Sequence, residues 1–165
     1  MIILGLDPGT ASTGYGAIKI TNKIELVGYG VVSTKANSYM PQRLCEIYKE
    51  VRRLIDKFQP DKISIESLFF FKNQKTVMSV SQARGVIMMA CQSKKVPIFE
   101  YPPLRVKSIL CQNGRADKKE VQEKVRKILK LTLAPKPDDA ADALASAICC
   151  NTCHLTDKSD KIKVK

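Results

Sequence analysis

Short apolar runs and longer stretches of helical periodicity alternate along this chain of 165 residues. The first apolar run covers residues 2–6 and stops at Asp7, before a Pro-Gly turn, and two further runs follow at 15–21 and 24–34. Runs of this length, joined by short turns, are typical of neighbouring antiparallel strands. The first part of the chain therefore predicts a meander of three strands.

Beyond this meander the apolar residues recur mostly at helical spacing. The pattern predicts helices at 40–58, 73–94, 104–110, from Asp117 onward and from Asp138 or Asp139 through Cys150, and strands at 62–65 and 96–101. Asp117 and Glu120 have the spacing of a capping box, and Asp138 is the expected N-cap of the last helix. This order of elements predicts an α/β fold with a mixed sheet.

The chain shows no internal repeat and no linker that would divide it. We expect a single domain over residues 1–154, followed by a basic tail, 155–165, that has little apolar content and is expected to be disordered. The apolar runs are too short to span a bilayer, and the N-terminus does not resemble a signal peptide. The expected location is therefore the cytoplasm, with no membrane contact.

The net charge of +12 is unusual for a chain with 44% hydrophobic and 27% charged residues. Such an excess of lysine and arginine is typical of proteins that bind a polyanion, either nucleic acid or an anionic surface. A loop of small and hydroxyl-bearing residues between Gly9 and Gly16 would also let a phosphate or another backbone approach closely. Composition and loop together favour a protein that binds phosphate groups.

Six cysteines are scattered through the chain, and in the cytosol they are expected to be reduced and buried. The segment from Cys150 to His154 matches the attachment motif of c-type haem, and Cys149 lies directly before it. Haem attachment normally requires export, which nothing here signals, and a zinc site lacks an evident fourth ligand because His154 is the only histidine. The role of this cysteine cluster stays open.

Four carboxylates are notable for their positions. Asp7 and Glu66 each end an apolar strand, whereas Asp139 and Asp142 lie three residues apart on one face of a helix rich in alanine. Taken singly, Asp7 could be a turn residue and Glu66 a surface residue. Carboxylates buried together repel one another unless they are protonated or bridged by a cation. Oxygen ligands with so little histidine favour Mg²⁺ or Mn²⁺ over zinc.

Four segments, MIILGLDPGTASTGYG, IESLFFFKN, QARG and DDAADALA, together resemble the bacterial RuvC family of Holliday-junction resolvases, from Met1 to about His154. The resemblance implies an RNase H-like fold, with a mixed five-stranded sheet of three antiparallel strands and then parallel strands, flanked by helices. It places the catalytic and metal-binding acids of the family at four positions: Asp7, Glu66, Asp139 and Asp142. Asp138 lies outside this pattern.

The resemblance also implies the reaction and further site residues. Two Mg²⁺ ions per active site, replaceable by Mn²⁺, would support cleavage of a DNA phosphodiester. Lys107 and Lys118 match lysines of the family and are expected to contact phosphate, although both could be ordinary solvated lysines. Phe69 matches an aromatic residue that enters the junction, with core packing as the alternative, and the neighbouring Lys72 is grouped with the DNA-binding residues.

The expected partner is four-way junction DNA, and two symmetric nicks suit a homodimer. The family dimerises through its second helix, residues 73–94 here, where Ala83 and Gly85 would permit close approach; a branch-migration complex of the RuvA and RuvB type is implied by the family alone. Three alternatives remain: a non-cleaving nucleic-acid-binding module, a sugar-kinase or actin-like ATPase, and a generic RNase H acting on hybrids. The presence of all four acids favours a resolvase that acts in DNA recombination and repair.

Overall fold

The computed structural model describes residues 1–67 and 74–156. Five strands form one mixed sheet in the order β3-β2-β1-β4-β5. The strands are β1 (Ile2–Asp7), β2 (Ser12–Ile20), β3 (Ile24–Ser33), β4 (Lys62–Glu66) and β5 (Ile98–Tyr101). The first three pair antiparallel as the meander predicted, and β1, β4 and β5 pair in parallel. The predicted mixed sheet of three antiparallel and then parallel strands is confirmed.

Helices cover both faces of the sheet. They are α1 (Met40–Phe58), α2 (Gln74–Ser93), α3 (Pro103–Cys111), α4 (Lys118–Ile128) and α5 (Asp138–Thr156). Alternate side chains of β1 point to opposite faces, so that Leu4 and Leu6 pack against α1 and α2 while Ile3 packs against the other three helices. Among the residues that the structure describes, no helix has the length and apolar character needed to cross a membrane.

Strand β2 begins earlier than the sequence pattern predicted. Ser12, Thr13 and Gly14 were expected in a loop, but all three pair with β3, and Gly14 also pairs with β1, opposite Asp7. The small residues at Gly14 and Gly16 serve helix packing, because α5 crosses the sheet directly over them. Only residues 8–11 form the loop between the first two strands.

Two predicted helix starts have different outcomes. The capping box at α4 is confirmed: Asp117 Oδ1 accepts a hydrogen bond from the Glu120 N–H at 2.8 Å, and the Glu120 carboxylate accepts one from the Asp117 N–H at 2.8 Å. Asp138 is not the N-cap of α5, because it is already the first helical residue. Its carboxylate instead accepts a hydrogen bond from Gln122 Nε2 at 2.9 Å.

The small residues of α2 do not share one surface. Ala83 is fully buried in the core that α1 and α2 form against the sheet, so the expectation that it permits close approach of a second chain is wrong. A Cβ added to Gly85 would meet no atom within 4 Å, which places this glycine on the open side of the helix. The exposed Met78 and Met89 also belong to α2.

All six cysteines carry free thiols, as expected for a reducing compartment. Cys91 and the cluster of Cys149, Cys150 and Cys153 are buried, whereas Cys45 is exposed, so the expectation of burial is wrong for that residue. The sulfur atoms of Cys149 and Cys153 lie 4.0 Å apart, one helical turn from each other. The side chain of His154 lies outside the described part of the chain.

Candidate active site

Two acidic side chains end neighbouring strands at the same edge of the sheet. Strands β1 and β4 are parallel, and Leu6 lies opposite Ile65, so Asp7 and Glu66 follow at adjacent positions. The residues directly before them, Leu6 and Ile65, are fully buried, because helices cover both faces of the sheet. The two carboxylates therefore stand where the buried part of the sheet ends.

Helix α5 brings two more acids to this edge. It lies so close to β1 and β2 that a Cβ on Gly5 would overlap the carbonyl group of Ala143, and a Cβ on Gly14 would overlap that of Asp139. Because Gly14 is the cross-strand partner of Asp7, the first turn of α5 is fixed beside Asp7. Asp142 lies on the next turn of the same helix.

A cleft of about 250 Å³ opens between this edge of the sheet and helices α3, α4 and α5. Glu66 and Asp142 contribute its acidic side chains, and Lys107 and Lys118 contribute its basic ones. The remaining lining residues are smaller or apolar: Pro103, Val106, Val121 and Ala145. The cleft thus places two lysines directly against two of the four acids.

The two lysines are held in different ways. Lys107 Nζ donates a hydrogen bond to the carbonyl oxygen of Ala116 at 2.6 Å. Lys118 Nζ lies 3.7 Å from Asp142 Oδ2 and 3.8 Å from Asp138 Oδ2, and its side chain is 64% exposed. Because the Lys118 side chain is exposed and both partners lie at the outer limit of an ion pair, Lys118 can exchange them for another anion.

Burial and repulsion from neighbouring carboxylates shift Asp7 and Glu66 toward their neutral forms. Desolvation, followed by the charges of Glu66, Asp142 and Asp139, raises the pKa of Asp7 to about 8, although Lys118 opposes the shift. Burial and the charge of Asp142 raise the pKa of Glu66 to about 7, against Lys107 and Lys118. These shifts show that the four acids are near enough to repel one another without a cation between them.

The pKa of Asp142 is also raised, chiefly by burial, and Lys118 is the strongest influence in the opposite direction. In return, the carboxylate of Asp142 raises the pKa of Lys118, which keeps its ammonium group charged. Titratable groups with perturbed pKa values in one cleft are characteristic of functional sites. An ion-pair network of purely structural purpose would not need three carboxylates buried with raised pKa values.

The donor chemistry at this edge fits a hard divalent cation. Carboxylate oxygens are the preferred ligands of Mg²⁺ and Mn²⁺, and a divalent ion would relieve the repulsion that raises the pKa values of Asp7 and Glu66. Within residues 1–67 and 74–156, no three Asp, Glu, Cys or His side chains form a ready-made metal site. Binding an ion would therefore require the carboxylates to turn toward one another.

The structure brings together six of the residues that the sequence predicts for the site. Four are the acids Asp7, Glu66, Asp139 and Asp142, and two are the lysines Lys107 and Lys118. The predicted DNA-binding residues Phe69 and Lys72 lie outside the described residues. Reasoning from sequence missed the contact of Asp138 with Lys118, for which the only signal was an acid directly beside Asp139.

A second missed feature fixes α5 on the sheet. The buried hydroxyl of Ser64 on β4 donates a hydrogen bond to the carbonyl oxygen of Ser146 at 2.9 Å, and the two hydroxyl oxygens lie 2.6 Å apart. Both side chains are fully buried. The pair connects the strand that carries Glu66 to the helix that carries Asp142. The only sequence signal for it was a serine two residues before Glu66.

Comparison with known proteins gives a consistent result. The family model described as "Crossover junction endodeoxyribonuclease RuvC" matches residues 3–150. The protein of that name from Finegoldia magna is 49% identical over 150 residues, which cover 90% of this chain and 92% of the relative. The solved structure of Thermus thermophilus RuvC superposes with a TM-score of 0.88 at 31% identity, covering 94% of this chain and 96% of that chain.

A second solved structure bears on the ligand of that relative. The T. thermophilus RuvC in complex with Holliday junction substrate superposes with a TM-score of 0.86 at 30% identity, again covering 94% of this chain and 96% of that chain. The similarity therefore extends over nearly the whole length of both chains, and it includes the strands and helices that carry the four acids.

Proposed function

Because this chain belongs to the RuvC family of crossover junction endodeoxyribonucleases, we propose that it resolves Holliday junctions by nicking two DNA strands at symmetric positions. The relative from T. thermophilus has been solved with a Holliday junction substrate, which supports the same substrate for this chain. The net charge of +12 supports a polyanionic ligand. The reaction would serve DNA recombination and repair in the cytoplasm.

The observation that carries this proposal is the meeting of four acids at one edge of the sheet. The pKa of Asp7 is raised to about 8 by burial and by the other three acids, an arrangement that costs folding free energy. Buried carboxylates that destabilise the fold in this way are typical of functional sites, here one at which the acids bind a cation. A binding module without cleavage would need the lysines but would have no use for the buried carboxylates.

We assign Asp7, Glu66, Asp139 and Asp142 as the ligands of Mg²⁺, with two ions per active site and Mn²⁺ as a substitute. When bound, these ions would activate water and stabilise the charge that develops on the phosphate and its leaving oxygen. The carboxylates themselves determine where the cations sit, and they must lose their protons first. We therefore expect protons to be released when Mg²⁺ binds at neutral pH, mainly from Asp7 and Glu66.

Lys107 and Lys118 supply the positive charge that the protein itself brings to the phosphate. Both line the cleft with Glu66 and Asp142, and both lower the pKa of Glu66. A phosphate entering the cleft would attract the ammonium group of Lys118 away from its pairs with Asp142 and Asp138, which measure 3.7 and 3.8 Å. We propose that the two lysines bind and orient the backbone phosphate beside the acids.

We propose a homodimer formed through α2. Met78 and Met89 are 73% and 58% exposed, and Gly85 between them has open space above it, so within the described part of the chain these residues form an exposed, partly apolar face. A two-fold dimer would present two active sites to a junction that itself has two-fold symmetry. Light scattering after gel filtration tests this assembly, and a monomer at high concentration would contradict it.

Two further assignments follow from the resemblance to the family. Phe69 is proposed to enter the junction and stack on a base, an interaction of about 1–3 kcal/mol, with Lys72 contacting the DNA nearby. A branch-migration complex of the RuvA and RuvB type is a further proposed partner. Substitution of Phe69 by leucine should impair cleavage of intact junctions more than cleavage of a pre-opened, flexible one.

The central experiment offers the purified chain a four-way junction, a plain duplex and an RNA–DNA hybrid, with Mg²⁺ or with EDTA. We expect paired nicks in the junction alone, and only with Mg²⁺. Asp142→Asn should slow cleavage at least about 100-fold while junction binding changes by less than about threefold, because the lost ligand serves the chemical step.

The control variant is Asp56→Asn. Asp56 is also a carboxylate that faces a lysine, but its partner is Lys94, 2.5 Å away and just beyond the end of α2. This variant should cleave at the rate of the unmodified chain. Tight junction binding without nicks in any metal would instead support the non-cleaving module, and cleavage of the hybrid alone would support a generic RNase H.

A further inference from the structure

The loop that follows Asp7 is held by its carbonyl groups. Three of its oxygens accept hydrogen bonds: Gly9 from the Thr13 hydroxyl at 2.7 Å, Thr10 from the Thr34 hydroxyl at 2.6 Å, and Ala11 from the Thr34 N–H at 3.1 Å. In the described ranges, 1–67 and 74–156, no protein acceptor takes the N–H groups of residues 9–11. The loop therefore keeps its donors available beside Asp7.

Two of these three bonds come from Thr34, which follows the last residue of β3. The Thr34 hydroxyl has one proton, which it donates to the Thr10 carbonyl, and its oxygen accepts a hydrogen bond from Arg43 Nε at 2.8 Å. Arg43 lies in the first turn of α1 and is 8% exposed. A continuous chain of bonds thus runs from a buried guanidinium to the loop that begins after Asp7.

The position of Arg43 is unfavourable for a cation on grounds of stability alone. The N-terminus of a helix carries partial positive charge, and the first turn of α1 contains no acidic residue. Among the described residues no carboxylate forms an ion pair with Arg43, so a nearly buried charge is neutralised by no neighbour. An apolar residue would fill this place at lower cost, which points to a role in the site.

We propose that Arg43 is a positioning residue of the nuclease: through Thr34 it holds the loop of residues 8–11, so that Asp7 keeps its place among the acids and the unbonded loop N–H groups meet the DNA backbone. Arg43 acts through Thr34 and does not itself touch the DNA. The inference rests on the proposed nuclease function. Displacements of about 1 Å in such a support lower reaction rates by as much as about 100-fold.

The test uses a matched pair at Thr34 together with Arg43→Met. Thr34→Val keeps the shape of the side chain but removes both hydroxyl bonds, whereas Thr34→Ser keeps the hydroxyl. We expect Thr34→Val and Arg43→Met to slow single-turnover junction cleavage about 10- to 100-fold, with junction affinity and its salt dependence unchanged. Thr34→Ser should restore the rate to within about threefold of the unmodified chain.

The control on the same helix is Arg53→Met. Arg53 is exposed and pairs with Glu50 at 2.7 Å, so its loss should leave the cleavage rate unchanged. Unfolding temperatures of all variants are measured, and rates are compared well below the lowest of them. If Arg43→Met does not fold, the comparison of Thr34→Val with Thr34→Ser decides the question alone.

Two results would overturn the inference while leaving the proposed function intact. One is cleavage by Thr34→Val at the rate of the unmodified chain, or by Thr34→Ser as slowly as by Thr34→Val. The other is a salt slope of binding that falls by about one in Arg43→Met but not in Thr34→Val, which would mean that Arg43 contacts a phosphate directly. Failure of the unmodified chain to cleave any junction would instead reject the proposed function itself.

Discussion

The carbonyl group of Asp139, at the start of α5, lies directly over Gly14 on β2, in the space that a side chain of Gly14 would occupy. Gly14 is in turn the cross-strand partner of Asp7. The backbone of one proposed ligand is therefore packed against the strand that flanks another. The relative placement of the acids in α5 and β1 depends on this contact.

Substitution of Gly14 by alanine is expected to disturb stability and cleavage together. The added methyl group would overlap backbone atoms of Asp139, and backbone cannot rotate away as a flexible side chain can. We expect a loss of about 1–3 kcal/mol in the free energy of unfolding, with a cleavage rate reduced at least tenfold, since the first turn of α5 must shift. Denaturant unfolding and single-turnover cleavage measure the two effects.

Gly114→Ala is the matched control. A Cβ at Gly114 would lie 3.6 Å from the carbonyl oxygen of Leu104, an ordinary van der Waals distance. This variant should keep both stability and activity. If Gly14→Ala behaves like Gly114→Ala, the close approach of α5 to β2 does not determine the geometry of the site.

The stability of the metal-free protein should depend on pH through Asp7. The pKa of this carboxyl is about 8 in the folded chain against its usual 3.8, so between these values the folded state retains a proton that the unfolded state has lost. Its contribution to the free energy of unfolding is therefore fully present below about pH 4 and is lost as pH rises through 8. Asp7→Asn removes this dependence, because the amide does not titrate.

In EDTA, we therefore expect Asp7→Asn to become progressively more stable than the unmodified chain between pH 5 and 8. The difference should grow by up to about 1.4 kcal/mol for each pH unit in this window. Urea unfolding at several pH values measures it, with Glu25→Gln as the control because that exposed carboxylate pairs with Lys23, 3.1 Å away and far from the acids. Parallel pH profiles for Asp7→Asn and the unmodified chain would contradict the burial and repulsion described for Asp7.

Removal of Lys107 or Lys118 tests whether these lysines contact phosphate. Each methionine variant is expected to slow cleavage and to reduce the slope of log affinity against log salt by about one, because one fewer counterion is released on binding. The matched variant is Lys23→Met, at the turn between β2 and β3, where the lysine pairs with Glu25. Equal salt slopes for all three variants would mean that Lys107 and Lys118 are ordinary solvated lysines.

Thiol labelling distinguishes the exposed cysteine from the buried ones. Burial raises the pKa of Cys91 to about 12 and raises the pKa values of Cys149 and Cys150, so few reactive thiolates form at pH 8. We expect a maleimide to modify Cys45 within minutes and these three only after unfolding, as read by mass spectrometry. Rapid labelling of Cys149 in the native protein would show that α5 opens readily.

Much of this architecture follows from local patterns. The helix at 40–58 was predicted with the bounds that the structure has, because its apolar stripe, its early proline and the Gln-Pro stop all agree. Asp7 and Glu66 could be identified because a charged residue directly after an apolar run is unfavourable unless it has a specific partner or role. These signals require only the chain neighbours of each residue.

Other features depend on contacts between distant segments. The helical periodicity around Ala83 is the same whether this residue faces the core or a second chain. Only the packing of α2 against α1 and the sheet shows that it faces the core. Asp138 is of a residue type typical of an N-cap, but the helix begins at Asp138 itself, one residue earlier than an N-cap there would require. Its carboxylate accepts a hydrogen bond from Gln122 of α4 instead. Neither result can be obtained from local propensity.

The sequence by itself determined the order of strands and helices, the family, and which carboxylates interrupt the apolar pattern, because these depend on residue types and their spacing. Only the tertiary structure decided that Gly14 underlies Asp139, that Lys118 faces Asp142, and that Arg43 reaches the loop after Asp7 through Thr34. The physical reason is that burial, repulsion between charges and hydrogen bonding depend on distances in space, and residues far apart in the chain become neighbours only when the sheet and its helices pack.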